Sequence, residues 1–445
     1  MVLMYRVTRR SLSVLIIAAV VVLGMAYYIC RYLFFGSYWA GQPFNQTVYK
    51  GAISAVGKVV DTNGVMLADS DGGTRTFAES RDVRRATLHV VGDRDGNVGT
   101  GALSVYASDL AGYNPITGST MSSVTGETLT LTIDSRLSVE ALAQLGNRRG
   151  TVIVSNYITG EILCMVSSPT FDPALQTLPE VDDERGEYWN RALQSAYTPG
   201  SVFKIVTAAA AIEMIPDIYD RVFNCEGQFN AGNGQVVCAN RTGHGRIDFK
   251  RGLADSCNVV FGMLALELGA DVLASYAEQY DLSAAISVGG VRTASGRFER
   301  ANPNTIDLAW SGIGQHKNEV CPAAMLRFVG AIANGGIAAE LHYLVRTGIS
   351  SILPNSSARL MPSDTASQLG EIMIIDDESI PGLRIHAKTG TAERDGEEGH
   401  SWYVGYIENS EYPYAFVVVA ENSGRGSGVA ASIARQVLRF AVLQI

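Results

Sequence analysis

Residues 198–212 read TPGSVFKIVTAAAAI, and this stretch decides how the rest of the chain is interpreted. Proline and glycine end one segment, and an apolar, alanine-rich run then begins a helix. Because residues three apart share a helix face, Ser201 and Lys204 are predicted to lie side by side on the first turn. The start of the helix also brings a positive dipole end near Ser201, which favours negative charge developing there. The stretch therefore predicts a serine nucleophile with a lysine base beside it.

Two later motifs strengthen this interpretation, because a lone Ser-x-x-Lys is weak evidence. A lysine acts as a base only when its amine is neutral, so burial or a nearby cation must lower its pKa. The motifs Ser256-Cys257-Asn258 and Lys388-Thr389-Gly390-Thr391 follow in the order that penicillin-recognising serine enzymes require. Only six lysines occur in the chain, and two of them lie inside these motifs.

The second motif is predicted to open a helix. In this position the Ser256 hydroxyl can pass protons and the Asn258 amide can hold a peptide group of the substrate. Asp255 is the expected cap of a helix that runs over 253–268.

The third motif is expected at the edge of a strand, because the run before it, residues 384–387, alternates between polar and apolar. Gly390 would let a substrate backbone approach that edge closely. The charge of Lys388 and the hydroxyls of Thr389 and Thr391 suit an anionic end group such as a peptide carboxylate.

With these motifs in this order, the chain resembles a class B penicillin-binding protein, a membrane-anchored D,D-transpeptidase of bacterial cell-wall synthesis. The resemblance covers about residues 127–445 and includes six further blocks, which are Asn190–Ala192, Tyr197–Ser201, Gly243–Gly245, Ser311–Gln315, Ile332–Gly336 and Ser401–Gly405. Val320-Cys321-Pro322 departs from the family, in which a Thr-Pro is common. The resemblance implies the penicillin-binding-protein or serine β-lactamase-like fold.

The resemblance also implies a role for each motif residue. Ser201 would attack the penultimate D-alanine carbonyl of a D-Ala-D-Ala stem peptide, Lys204 would be the acylation base, and Ser256 would relay protons. Asn258 would hold the donor amide, and Lys388, Thr389, Gly390 and Thr391 would receive the terminal carboxylate. The backbone amides of Ser201 and Thr391 would form the oxyanion hole. β-Lactams would acylate the same serine, and no cofactor is expected.

The 445 residues have room for two or three domains, and an apolar fraction of 47% can fill a core. The net charge of −9 argues against nucleic acid as a partner. The interval 12–29 carries no charge and is long enough to cross a bilayer, with arginines before it and aromatic residues after it. An uncleaved anchor with a cytoplasmic N-terminus is therefore predicted, and a cleaved signal peptide is the alternative.

The predicted fold class is α+β, an antiparallel sheet flanked by helices. The predicted parts are a cytoplasmic N-terminus (1–11), a transmembrane anchor (12–30), a small β-rich pedestal (31–126) and a transpeptidase domain (127–445). In the pedestal, 58–61 and 87–91 are predicted strands, and Asn63-Gly64 a hairpin turn. Hairpins are expected at 151–155 with 161–167 and at 401–407 with 414–420. No glycosyltransferase domain fits before residue 127, so a separate, membrane-bound glycan polymerase is the expected partner.

The six cysteines allow disulfides outside the cytoplasm without requiring them. Cys225 and Cys238 are the best candidate pair, and whether they form a disulfide is left open. Adding His244 would give a zinc set, but the spacing is loose and no metal site is predicted. Cys164 and Cys321 are predicted to be core residues.

Other functions remain open from the sequence. A D,D-carboxypeptidase, a β-lactamase and a β-lactam-reactive sensor carry the same three motifs. A non-catalytic membrane scaffold of the wall-synthesis machinery could keep the fold, although the intact motifs argue against it. A Ser-His-Asp hydrolase fits poorly because the serine lacks a G-x-S-x-G turn.

Overall fold

One six-stranded antiparallel sheet joins two distant parts of the chain. The structure is a computed structural model that describes residues 2–40, 57–71, 74–110, 113–114, 119–120, 127–177, 179–180, 185–347, 356–375, 380, 382–394, 397–423 and 428–444. The strands are β1 (Lys58–Val60), β2 (Met66–Asp71), β3 (Thr74–Phe77), β4 (Tyr113–Asn114), β5 (Ser119–Thr120), β6 (Thr128–Thr130), β7 (Gly150–Asn156), β8 (Ile162–Ser168), β9 (Val222–Cys225), β10 (Gln228–Ala231), β11 (Gly234–Val237), β12 (Gly245–Asp248), β13 (Ser287–Val288), β14 (Val291–Arg292), β15 (Ile337–Ala339), β16 (Ser357–Arg359), β17 (Ile374–Ile375), β18 (Arg384–Arg394), β19 (Glu397–Glu408) and β20 (Tyr414–Ala420).

Helices cover both faces of this sheet. They are α1 (Val2–Ala40), α2 (Arg81–Val91), α3 (Ala102–Val105), α4 (Ala107–Leu110), α5 (Ser135–Leu145), α6 (Arg191–Gln194), α7 (Lys204–Met214), α8 (Phe249–Ala254), α9 (Asn258–Leu268), α10 (Ala270–Gln279), α11 (Ile306–Ile313), α12 (Pro322–Ala333), α13 (Ser363–Ile372) and α14 (Gly428–Leu443). The α+β class predicted from the sequence is confirmed.

The sheet has the strand order β17-β18-β19-β20-β7-β8, and both predicted hairpins, β7–β8 and β19–β20, are confirmed. Alternate residues of β7 face two separate cores, since Val152 and Val154 pack with α5 and α14 while Ile153 packs with α7 and α12. The sheet is therefore buried on both faces, which explains why its strands are almost wholly apolar.

Part of the predicted pedestal forms a second, smaller sheet of order β3-β2-β1-β6. The predicted turn at Asn63-Gly64 is confirmed, because the Gly64 amide donates to the Asp61 carbonyl oxygen (3.0 Å) between β1 and β2. Strand β6 joins this sheet parallel to β1, so residues just past 126 complete it. The boundary at 126/127 stays a prediction.

The predicted strand at 87–91 is wrong, because these residues form the last turns of α2. The six residues Ala86–Val91 are all buried, and the helix packs against the main sheet. Arg84 anchors it through two 2.7 Å hydrogen bonds to the Asp172 carboxylate. Burial of the apolar face outweighs the strand preference of the β-branched residues, which is a weak and context-dependent signal.

The single helix predicted over 253–268 is also wrong, because it is broken between α8 and α9. Ser256 adopts a left-handed backbone conformation (φ 54°) at the break. Asp255 ends α8 and accepts from Arg251 Nε (2.6 Å), so it does not cap α9, whose N-cap residue is Cys257. The break turns Ser256 towards α7, where its contacts with Lys204 repay the unfavourable backbone conformation.

Helix α1 contains an apolar stretch, Arg10–Tyr32, that is long enough to cross a membrane. Its described side chains are almost entirely exposed, as expected of a surface that contacts lipid rather than protein. The helix fits a single-pass membrane anchor.

Candidate active site

The Ser-x-x-Lys motif begins in a 3₁₀ turn, Gly200–Phe203, and α7 starts at Lys204. Gly200 has a left-handed backbone (φ 56°), and a Cβ there would lie 2.3 Å from the Thr391 carbonyl oxygen. Only glycine meets both conditions. Ser201 is partly exposed at the turn, whereas Lys204 is completely buried one turn later.

Lys204 is held by the Ser-x-Asn motif. Its Nζ donates to the Ser256 carbonyl oxygen (2.6 Å) and to Asn258 Oδ1 (2.7 Å), and it lies 3.2 Å from Ser256 Oγ. The Nζ also lies 5.7 Å from the centre of the Phe261 ring. Four groups from the broken helix therefore fix the position of the amine.

Burial lowers the pKa of Lys204 well below its usual value, and the charge of Lys388 lowers this pKa further. A neutral amine has two N–H donors and one lone pair. The two short contacts to carbonyl oxygens take both donors, which leaves the lone pair for the Ser256 hydroxyl. The sequence predicted burial as the cause of this pKa shift, and the structure confirms it.

Asn258 connects Lys204 to the neighbouring strand. Its Oδ1 accepts from Lys204, while its Nδ2 donates to the Val237 carbonyl oxygen (2.9 Å) at the end of β11. One N–H of this amide is used in that contact, so the other is left for a substrate carbonyl.

The Lys-Thr-Gly motif lies on β18, in a part of the strand that has β19 on one side only. The short strand β17 pairs with Ile385 and His386, so from Lys388 onward the other edge has no strand partner among the described residues. The predicted strand edge is confirmed. Lys388 is buried, its Nζ donates to the Thr389 carbonyl oxygen (3.1 Å), and burial lowers its pKa to about 8.

Close backbone contacts hold the serine turn against this edge. A Cβ at Gly390 would lie 2.9 Å from the Pro199 carbonyl oxygen. Trp402 on β19 donates from Nε1 to the Thr198 carbonyl oxygen (3.0 Å), and Gln315 donates from Nε2 to the Thr391 carbonyl oxygen (3.1 Å). The first and third motifs are therefore one rigid unit.

All three motifs line one cleft of about 500 Å³. Ser201, Ser256, Asn258 and the Thr389–Thr391 segment face it, while the two lysines lie behind its surface. Arg241 and Trp310 also line the cleft, together with Gln315, Val237, Cys238, Ala239 and Ile313. Sequence reasoning did not assign these residues, although Gln315 lies in a block quoted for the family resemblance. A larger groove, of about 1190 Å³, contains none of the motif residues.

Three thiols and one imidazole lie beside the cleft. Cys225, Cys238, His244 and Cys257 place their ligand atoms within 4.8 Å of one another, and this group could hold a metal ion. All six cysteines are free thiols, so the candidate pair Cys225–Cys238 is not bonded. Cys164 and Cys321 are core residues as predicted.

Comparison with known proteins agrees with this geometry. A family model described as the penicillin binding protein transpeptidase domain matches residues 150–439. The chain belongs to this penicillin-binding protein family. The matched residues contain all three motifs, so the penicillin-binding protein site and the cleft are in the same part of the chain.

The relatives of this penicillin-binding protein include class B members. It is 28% identical over 337 residues to the peptidoglycan D,D-transpeptidase PbpA of Mycobacterium tuberculosis, which covers 67% of this chain and 68% of the relative. The crystal structure of the D,D-transpeptidase domain of a peptidoglycan glycosyltransferase from Eggerthella lenta is 25% identical with a TM-score of 0.71, covering 88% of this chain and 99% of that domain. The imipenem acyl-enzyme complex of M. tuberculosis penicillin-binding protein A has a TM-score of 0.72 at 24% identity, with 88% and 99% coverage.

These relatives confirm the class B resemblance and the transpeptidase fold. The penicillin-binding protein described here is a transpeptidase enzyme of peptidoglycan synthesis, and β-lactams bind this family.

Proposed function

We propose that this protein cross-links peptidoglycan stem peptides through an acyl-enzyme on Ser201. The observation that carries the proposal is the buried, neutralised amine of Lys204, which contacts Ser256 Oγ in the wall of the cleft that Ser201 also lines. A nucleophile, a base and a proton relay in one cleft are the minimum that serine acyl transfer needs.

In the first half-reaction, Ser201 Oγ attacks the penultimate D-alanine carbonyl carbon of a D-Ala-D-Ala stem peptide. Lys204 takes the hydroxyl proton, and a C–O bond forms. The C–N bond to the terminal D-alanine then breaks, and its nitrogen receives a proton through the Ser256 hydroxyl, which donates to and accepts from Lys204. The backbone amides of Ser201 and Thr391 stabilise the developing oxyanion.

In the second half-reaction, an amine of a neighbouring stem peptide attacks the ester carbonyl. The new amide bond forms, the ester C–O bond breaks, and the amine proton returns to Ser201 Oγ through Lys204. The enzyme is regenerated, and the two peptides are joined without any cofactor.

The open edge of β18 supports the assignment of a peptide substrate, because an extended peptide adds to such an edge by backbone hydrogen bonds. We assign the terminal carboxylate to the Lys388 ammonium and the hydroxyls of Thr389 and Thr391, with Gly390 allowing close approach. The free N–H of Asn258 would hold the donor amide from the opposite wall.

Covalent labelling tests the nucleophile. Wild-type protein should react with a fluorescent penicillin, and Ser201→Ala should not. Ser275→Ala is the matched control, because Ser275 is an exposed helix serine far from the motifs in sequence, bonded only to the Val272 carbonyl among the contacts described. Equal labelling of the wild type and Ser201→Ala would overturn the assignment.

The products separate the possible enzymes of this fold. With nascent glycan strands as substrate, we expect cross-linked dimeric stem peptides and a long-lived penicilloyl adduct. Trimmed monomers alone would indicate a carboxypeptidase, and rapid turnover of the adduct a β-lactamase. An absence of any reaction with substrate or penicillin would favour a scaffold.

We further propose that α1 anchors the protein with its N-terminus in the cytoplasm, the pedestal (31–126) and transpeptidase domain (127–445) lying outside. Arg6, Arg9 and Arg10 precede the apolar stretch, as the positive-inside rule requires. A separate glycosyltransferase would supply the glycan strands. Reporter fusions to each end of the chain test the topology: a C-terminal reporter active only in the cytoplasm would contradict it.

A further inference from the structure

A four-residue cluster beside the cleft combines side chains from four separate segments. Cys225 ends β9, Cys238 follows β11, His244 precedes β12, and Cys257 is the N-cap residue of α9. The three cysteines are buried and His244 is half-buried. The proposed acyl transfer uses none of these side chains.

The distances within the cluster match those of a tetrahedral zinc site. Zinc bonds of about 2.3 Å to sulfur and about 2.0–2.1 Å to nitrogen give tetrahedron edges of about 3.8 Å between sulfurs and about 3.5 Å between sulfur and nitrogen. His244 Nδ1 lies 3.5 Å from Cys225 Sγ and 3.6 Å from Cys238 Sγ. Cys238 Sγ lies 3.9 Å from Cys257 Sγ.

A disulfide and plain apolar packing both account for less of this arrangement than a metal ion does. A disulfide requires sulfurs about 2.05 Å apart, whereas Cys238 and Cys257 are 3.9 Å apart and all the cysteines are free thiols. Ordinary packing of apolar thiols does not explain why an imidazole nitrogen faces two of the sulfurs. Three thiolates and one imidazole form a closed structural zinc set, and such soft ligands disfavour magnesium and calcium.

The backbone around the cluster is built to bring these segments together. Gly243 has a left-handed backbone (φ 84°), and a Cβ there would lie 2.1 Å from the Cys225 carbonyl oxygen. The Cys238 amide donates to the Gly227 carbonyl oxygen (2.8 Å), and Gly227 is left-handed as well (φ 88°). Larger residues at these two positions would push the ligand loops apart.

We propose that Cys225, Cys238, His244 and Cys257 bind one Zn²⁺ ion, which ties the loop after β11 to the Ser-x-Asn turn. Cys257 stands between Ser256 and Asn258, the two residues that hold Lys204. Binding releases the thiol protons to solvent, and no open coordination position is left for catalysis. The ion is therefore a positioning element, which keeps the Lys204 contacts in register. The metal site stands apart from the proposed acyl-enzyme, and only its effect on acylation rests on that function.

Metal content tests the site directly. Full-length protein purified in detergent, without added metal or chelator, should contain about one zinc per chain by elemental analysis. Cys225→Ser and Cys238→Ser should lose it, while Cys164→Ala, a buried cysteine outside the cluster, should keep it. Wild-type protein without zinc, or a mass about 2 Da low that reports a disulfide (two hydrogens lost), would overturn the proposal.

Cobalt substitution gives a readout that needs no variant and so does not depend on variants that fold. Wild-type protein stripped of zinc and reloaded with Co²⁺ should show thiolate-to-cobalt charge transfer and the visible bands of tetrahedral cobalt. Octahedral cobalt bands without charge transfer would contradict the ligand set.

The effect on the active site is measured as the rate of penicillin acylation. Stripping zinc should slow acylation about 10-fold or more, and adding zinc back should restore it, as for other residues that orient a site through a second contact. An unchanged rate would overturn the positioning role. Zinc-loaded protein that does not react with penicillin would contradict the proposed function while supporting the metal site.

Discussion

Lys204 Nζ and Asn258 Oδ1 are joined by a 2.7 Å hydrogen bond, in which a buried amine meets a neutral amide oxygen. An amide oxygen positions the amine without stabilising its charged form as a carboxylate would. The identity of residue 258 therefore affects the charge state of Lys204 as well as its position.

Asn258→Asp should slow penicillin acylation at neutral pH by about 100-fold, the lower range of what a general base contributes. The new carboxylate raises the pKa of Lys204, so the amine stays protonated and cannot accept a proton. Asn230→Asp is the matched control, since Asn230 is exposed and its Oδ1 accepts from Gln235, as a carboxylate also can. Equal acylation rates in the two variants would contradict the base assignment.

Gly200→Ala should destabilise the protein more than Gly335→Ala. The two glycines have nearly the same left-handed backbone, with φ 56° and 59°, which costs about 1–2 kcal/mol for an alanine. Gly335 has nothing within 4 Å of an added Cβ, whereas Gly200 meets the Thr391 carbonyl oxygen at 2.3 Å. Thermal unfolding should therefore separate the variants, and only Gly200→Ala should lose penicillin labelling. Equal unfolding temperatures would show that the serine turn and β18 are less tightly joined than described.

Acylation should decline as the pH rises through about 8, where Lys388 loses its proton. Below that pH the ammonium is present to bind the carboxylate, and above it the charge is lost. Lys388→Arg keeps the charge at higher pH, so its alkaline decline should move upward even if its maximal rate is lower. Stopped-flow acylation across pH measures both curves. An alkaline limb that stays in place in Lys388→Arg would assign the titration to another group.

Arg191→Ala should lower the free energy of unfolding by about 3–5 kcal/mol, because it leaves a buried carboxylate without its main partner. Arg191 donates from Nε to Glu421 (2.8 Å), and Tyr197 donates to the same oxygen (2.8 Å). Lys250→Ala is the comparison, since its ion pair with Glu371 is exposed and should contribute about 0–1 kcal/mol. Denaturant unfolding monitored by circular dichroism compares the two. Equal losses would mean that burial of the Arg191 pair has little energetic weight.

The sequence predicted the parts of the fold that have a strong local signal. The β7–β8 hairpin has two apolar runs around a glycine turn, and α5 ends at Gly146 as predicted. The paired residues Ser201 and Lys204 follow directly from helix geometry. Local pattern was sufficient in these cases because burial acts in the same direction.

Local pattern failed where a distant contact decides the structure. The strand signal at 87–91 was overridden by packing of α2 on the main sheet. The break at Ser256 serves Lys204, which is 52 residues away in sequence. The Cys257 thiol joins Cys225, Cys238 and His244 only after folding, so spacing alone gave no sign of a four-residue cluster.

Mapping of the penicilloyl adduct tests the central claim most directly. After exposure to penicillin, the intact protein should gain the mass of one penicillin molecule, and peptide mapping should place the added mass on Ser201. Ser201→Ala should gain nothing, while Ser275→Ala should match the wild type. An adduct on any other residue, or equal mass gain in Ser201→Ala, would contradict the assignment of Ser201 as the nucleophile.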